Sequence, residues 1–119
     1  MTYDNLTQTI MKFCDNAEKK FKIEYSDNEN SIKEFIDNPI EDNYIVIRPM
    51  TSNISLKIRR VDDGGSNCFY KITGKSGETE LVNQDVLAAS SFNTVINSFI
   101  ESLNNEHREE ANLLRDCLF

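Results

Sequence analysis

A single histidine, His107, is all the chain has in 119 residues, so any Cys–His or Ser–His catalytic pair would have to use it. It stands in "NNEHREE", amid charge, where exposure to solvent and no orienting partner are expected. Cysteine is scarce as well. Cys14, Cys68 and Cys117 make an odd number without a CxxC pair, which points away from a zinc site, a thioredoxin-type motif and a secreted disulfide scaffold. No apolar run approaches the ~18–20 residues that span a bilayer. The opening "MTYDNLTQTI" lacks the basic and apolar segments of a secretory leader, so a cytoplasmic location with reduced thiols is expected. Basic residues are in deficit: 13 Lys and Arg against 20 Asp and Glu leave a formal charge of −7. That balance argues against the chain as a whole wrapping a phosphate backbone.

What is present is the profile of a folded domain, 39% hydrophobic and 28% charged. One domain over residues 1–119 is expected, large enough to bury a core without metal or disulfide staples. The charge is uneven: residues 1–50 carry −4, residues 51–100 are neutral and residues 101–119 carry −3.

Leu6, Ile10, Phe13, Cys14, Ala17 and Phe21 repeat with a 3.6-residue period, which predicts a first helix capped by Thr2 or Asp4. "FKIEY" at 21–25 alternates as a half-buried strand does. Ser31 and Glu34 match a capping box, predicting a short helix through about Asn38 that Pro39 stops. "NYIVIRP" at 43–49 reads as a strand ended by Pro49. "ISLKIRRV" at 54–61 alternates again, with Ile54, Leu56 and Ile58 on one side and Ser55, Lys57 and Arg59 on the other. "DDGG" supplies a turn, and "CFYKIT" at 68–73 is the return strand, with Cys68, Tyr70 and Ile72 inward. "GKSG" reads as a second turn and "ETELV" at 78–82 as a further strand. From Ser90 or Ser91, residues Phe92, Val95, Ile96, Phe99, Ile100 and Leu103 form an amphipathic helix. It either bends near Asn104-Asn105 or runs on through Ala111, Leu114 and Leu118. The fold class expected is α+β: an N-terminal helix, an antiparallel meander of three to five strands, and a long C-terminal helix on one sheet face.

Several motif fragments fail on their spacing. "GKSG" would need Gly five residues earlier to end a phosphate loop, but Phe69 stands there, and strand rather than helix follows. A KH-type GxxG loop joins helices, whereas this one joins strands. "DNENS" at 27–31 lacks the Gly and Glu of a calcium loop, and Asp62-Asp63 before Gly-Gly are ordinary hairpin residues. Cys14 and Cys68 occupy packing positions. Catalytic residues, metals and cofactors are therefore not expected.

Two charged sets remain. Lys57, Arg59 and Lys71 project from neighbouring strands onto one outward face, with Arg60 turned away or near the edge. Cations on an open sheet can hold phosphates, yet sheets that do so also offer aromatics for stacking, and only Phe69 is a candidate. The favoured reading is a solvated face or one half of a charge-complementary protein contact, and direct nucleic-acid binding is not expected. The acidic set is Glu41, Asp42, Asp62, Asp63, Glu106, Glu109 and Glu110. Carboxylates on a small rigid domain can occupy a partner's nucleic-acid groove where phosphates would lie.

Over residues 54–104, "LKIRR" runs through an Asp-Gly turn into "CFYKIT" and on to "FNTVINSFIESL". That pattern resembles the small acidic phage anti-CRISPR proteins, and the resemblance implies a protein that blocks the DNA-binding cleft of an RNA-guided nuclease. "LKIRRVDDGG" and "CFYKITGK" also resemble the central hairpin of the Alu-domain proteins of the signal recognition particle, which implies RNA binding. A bacterial secretion chaperone is a third likeness, at the level of a small acidic α+β protein.

The leading expectation is a non-enzymatic protein that binds, and inhibits or regulates, a larger protein or ribonucleoprotein complex handling nucleic acid. The alternative is a small RNA-binding protein using Lys57, Arg59 and Lys71. A further alternative is a secretion-chaperone-like or other interaction adaptor. A homodimer through the helix at 92–103 is a second use for its apolar face.

Overall fold

The computed structural model describes residues 4–26, 30–37, 43–50, 52–62, 68–103 and 107–118. Its element order is α1 (Asn5–Glu18), β1 (Lys22–Tyr25), α2 (Ile32–Asp37), β2 (Tyr44–Arg48), β3 (Ile54–Asp62), β4 (Cys68–Ser76), β5 (Thr79–Val86), α3 (Ala89–Ser102) and α4 (Arg108–Cys117). The expected α+β architecture is correct. All five strands form one antiparallel sheet in the order β1-β2-β3-β4-β5.

Local chemistry starts the helices. The carboxylate of Asp4 accepts from the Thr7 backbone N–H at 2.7 Å, which satisfies one of the orphan donors of α1. At α2, Ser31 Oγ accepts from the Glu34 N–H at 3.2 Å, and the Glu34 carboxylate accepts from the Asn30 N–H at 2.9 Å. The capping box is therefore real, with its acid reaching one residue further back than the usual pattern. Two guanidinium and amide contacts hold the end of α2: Arg60 Nη1 donates to the Ile36 carbonyl at 2.7 Å, and Asn43 Nδ2 to that of Phe35 at 3.3 Å. Arg60 thus points away from Lys57 and Arg59.

The helices cover one face of the sheet only. Ile45, Ile47, Ile54, Leu56, Ile58, Tyr70 and Ile72 are buried beneath them, as strand alternation requires. Helices α1 and α3 meet through the edge-to-face pair Phe13–Phe92, with ring centroids 5.5 Å apart. The stripe Phe92, Val95, Ile96, Phe99 and Ile100 faces this core. It is spent within the chain, so the idea of a homodimer through that face gains no support. Ala111, Leu114 and Cys117 of α4 are buried as well.

Two details differ from the sequence expectation, and one alternative is decided. Gly74, Lys75 and Ser76 are strand, not turn; the hairpin turns at Gly77-Glu78 instead, with Gly77 at φ +62°. Helix α3 begins at Ala89, one or two residues early, behind Ala88, which makes no side-chain cap bond. Of the two courses expected for the C-terminal helical region, the unbroken helix is overturned: α3 closes at Ser102 and α4 opens at Arg108. The "DDGG" turn falls largely outside the described residues, and Cys68 is described by backbone alone.

Candidate functional site

The uncovered face of the sheet is the candidate site. Side chains on it come from the strand positions that alternate with the buried ones, and the register fixes their neighbours. Across one row stand Tyr44, Arg59, Lys71 and Asp85. The next row holds Glu24, Val46, Lys57, Thr73 and Asn83. A third brings Lys22 beside Arg48 on one side of the sheet and Ser55, Lys75 and Glu80 on the other. Val61 and Phe69 pair beyond the first row.

Among the described residues this face carries six cations (Lys22, Arg48, Lys57, Arg59, Lys71, Lys75) and three anions (Glu24, Glu80, Asp85), a net of +3. The spans of the four helices hold four cations and eight anions, a net of −4. A chain with an overall deficit of positive charge therefore has its charge sorted by side: basic on the sheet, acidic on the helices.

Glu24 neutralises one corner, lying 3.4 Å from Arg48 Nε and 3.8 Å from Lys22 Nζ. Lys57, Lys71 and Lys75 have no carboxylate within ion-pair distance among the described residues. The Lys57 ammonium instead sits 4.1 Å above the centre of the Tyr44 ring, a cation–π contact. Between the strands lies a shallow groove of about 550 Å³, lined by Tyr44, Val46, Arg48, Asn53, Ser55, Lys57, Thr73, Lys75, Gly77 and Glu80. It offers ammonium and guanidinium donors, hydroxyls, one amide and one aromatic ring, with the Glu80 carboxylate at Lys75's side of the groove.

The structure brings the predicted basic set, Lys57, Arg59 and Lys71, onto one face. It adds Lys22, Arg48, Lys75 and Tyr44, which the sequence did not assign. The signal for Tyr44 and Arg48 was available: inward Ile45 and Ile47 oblige Tyr44, Val46 and Arg48 to point outward. Lys75 was hidden by reading "GKSG" as a turn. The acidic set is not assembled in the same way. Glu41, Asp42, Asp63 and Glu106 lie outside the described residues, and Asp62 is described only by its backbone pairing with Cys68. Glu109 and Glu110 occupy the first turn of α4, where they favour the helix dipole.

His107 corrects an expectation. It is partly buried rather than exposed, with Nε2 3.3 Å from Ser76 Oγ, while Nδ1 is buried and has no hydrogen-bond partner among the described residues. Cys14 and Cys117 are free and buried, and burial pushes both thiols up from their ordinary range. Among the described residues no group of three or more His, Cys, Asp or Glu could hold a metal ion, and no helix is long and apolar enough to cross a membrane. No family model, no curated protein and no solved structure matches this chain.

Proposed function

We propose that this is a non-enzymatic binding protein that docks on a larger nucleic-acid-handling assembly, as its inhibitor or regulator, and that the open sheet is the docking face. The observation that carries this reading is the sorting of charge, which leaves a basic, grooved face with three cations that have no carboxylate partner among the described residues, on a net acidic molecule. Complementary potentials steer and orient a contact of this kind, and the acidic helical side discourages docking the wrong way round. The non-enzymatic part is supported by the state of the nucleophiles. The Cys14 thiol is held in its unreactive form by burial, and the ring that meets Ser76 has no partner among the described residues to orient it.

The test is affinity capture from a lysate of cells that carry the gene, comparing the wild-type protein with a Lys57→Glu, Lys71→Glu, Lys75→Glu variant. The expected outcome is a defined assembly of protein and nucleic acid that the wild type retains and the variant loses. Retention of the same assembly by the folded variant, or recovery of nucleic acid free of protein, overturns the reading.

A further inference from the structure

We infer that the group this face grips is an unpaired nucleic-acid strand, its phosphates on Lys71, Lys57 and Lys75 and a base against Tyr44; this rests on the sheet being the docking face. Lys71 pairs with Arg59 and Lys75 with Ser55, so Lys57, lying between those two β3 residues, sits diagonally between the two β4 lysines. Four residues of strand separate Lys71 from Lys75, roughly 13 Å at about 3.3 Å per residue. That is about four backbone repeats of a stacked strand at ~3.4 Å each. Lys71 and Lys75, with Lys57 on the neighbouring strand between them, are therefore spread over the length of several phosphates rather than gathered on a single anion.

The rest of the groove suits the same ligand. Ser55, Thr73 and Asn53 offer neutral donors beside the lysines, and hydroxyls and amides commonly complete phosphate and sugar contacts. Tyr44 is the one aromatic ring in the groove, and the Lys57 ammonium rests over it at 4.1 Å. A phosphate arriving at Lys57 draws that ammonium away and bares the ring for a base, coupling the two contacts. Stacking on an aromatic ring needs a base free of its duplex partner, which selects an unpaired strand.

The overall charge of −7 is not the charge of this face, which keeps a net of +3 even with Asp85 opposite Lys71 and Glu80 opposite Lys75. A helix is about 10–12 Å across, so carboxylates on the far side of the helical layer lie beyond the Debye length of ~8 Å at physiological salt. An acidic protein surface would satisfy the lysines but gains nothing from the ring, and that difference decides between the two ligands.

Fluorescence anisotropy with labelled twelve-nucleotide oligo-dT and oligo-U tests the inference on the full chain. Binding by either strand is expected, with the slope of log affinity against log salt near −2, since three neutralised phosphates contribute about −0.7 each. Lys71→Ala and Lys75→Ala should each make that slope shallower by about 0.7, and Tyr44→Leu should weaken binding at least fivefold with the slope unchanged. These mild variants, checked for fold by circular dichroism, keep the test decisive if the triple glutamate variant misfolds. Absence of binding by both strands at low salt overturns the inference. So does equal competition by a twelve-residue polyglutamate or by uridine monophosphate, which would assign the groove to an acidic protein segment or to a free nucleotide. Capture of the assembly that survives nuclease digestion also overturns it, yet leaves the docking reading standing; loss of capture altogether removes the docking reading itself.

Discussion

Cys14 lies fully inside α1's packed face, with Asp15 and Glu18 adding negative potential nearby. A thiolate there would be desolvated and repelled, so the fold holds the proton. Tyr25 behaves alike: burial first, then Glu18, pushes its hydroxyl up to about 12. Both are groups whose neutral form the fold prefers. Their contribution to stability is fully present below the unfolded values, about 8.5 for cysteine and about 10 for tyrosine, and is lost as pH rises through the folded ones. Urea midpoints should hold steady from pH 6 to 8 and fall progressively above about 9. Cys14→Ala should start lower at pH 7 for want of the sulfur's packing, yet fall less between pH 8 and 10; Cys117, raised by burial too, accounts for part of the remaining fall. An alkaline fall of unchanged steepness in the variant would contradict this. Cys14's burial was legible from the 3.6-residue spacing of its neighbours. That of Cys117 was not, because it depends on where α4 lands.

The β4–β5 hairpin contains two glycines with unlike duties. A Cβ on Gly74 would collide with the Phe99 ring and with Val82, because α3 presses that ring onto the strand itself. One on Gly77 meets nothing, but the backbone there is at φ +62°. Gly74→Ala should therefore cost about 1–3 kcal/mol through overpacking and Gly77→Ala about 1–2 kcal/mol through left-handed strain, measured by chemical denaturation. Adding Phe99→Leu should lessen the loss caused by Gly74→Ala, with the Val82 contact remaining, and should leave the loss caused by Gly77→Ala unchanged. This hairpin also shows where sequence stops speaking. Alternation through Ile54, Leu56 and Ile58 made β3 legible, and periodicity made α1 and α3 legible. A glycine that makes room for a distant ring looks the same in sequence as one that makes a turn. The extra residue Leu81, left over where Gly74 faces Val82 and Lys75 faces Glu80, is a bulge with no mark of its own. Ser90 and Ser91 resembled caps, although α3 starts behind Ala88; packing of the helix on β5 sets its entry, overriding the cap preference.

At the level of the whole molecule, charge is arranged by side and not by position along the chain, which is why the site was only half legible. Counting in blocks of fifty residues gave a neutral middle, because residues 51–100 hold five cations and five anions, while Lys22 and Arg48, which join Lys57, Arg59, Lys71 and Lys75 on the sheet face, fall in the first block. Like charges such as Arg59 and Lys71, directly opposed across the ladder, lower stability. Removing cations from this face should accordingly do little harm. The Lys57→Glu, Lys71→Glu, Lys75→Glu variant is expected to unfold within about 1.5 kcal/mol of the wild type, surface changes being usually within about 0.5 kcal/mol apiece. A loss above about 2 kcal/mol would mean that these lysines hold the sheet together and are not kept for a partner. The meander has one more consequence, and it concerns synthesis. Each strand pairs only with its neighbour in sequence, so the five can zip up in the order in which a ribosome releases them. Their greasy underside, however, lacks the part of its lid that α3 and α4 form until residues 89–117 emerge, about two to six seconds later at ordinary elongation rates. During that interval the nascent chain is most exposed to chaperones and to aggregation.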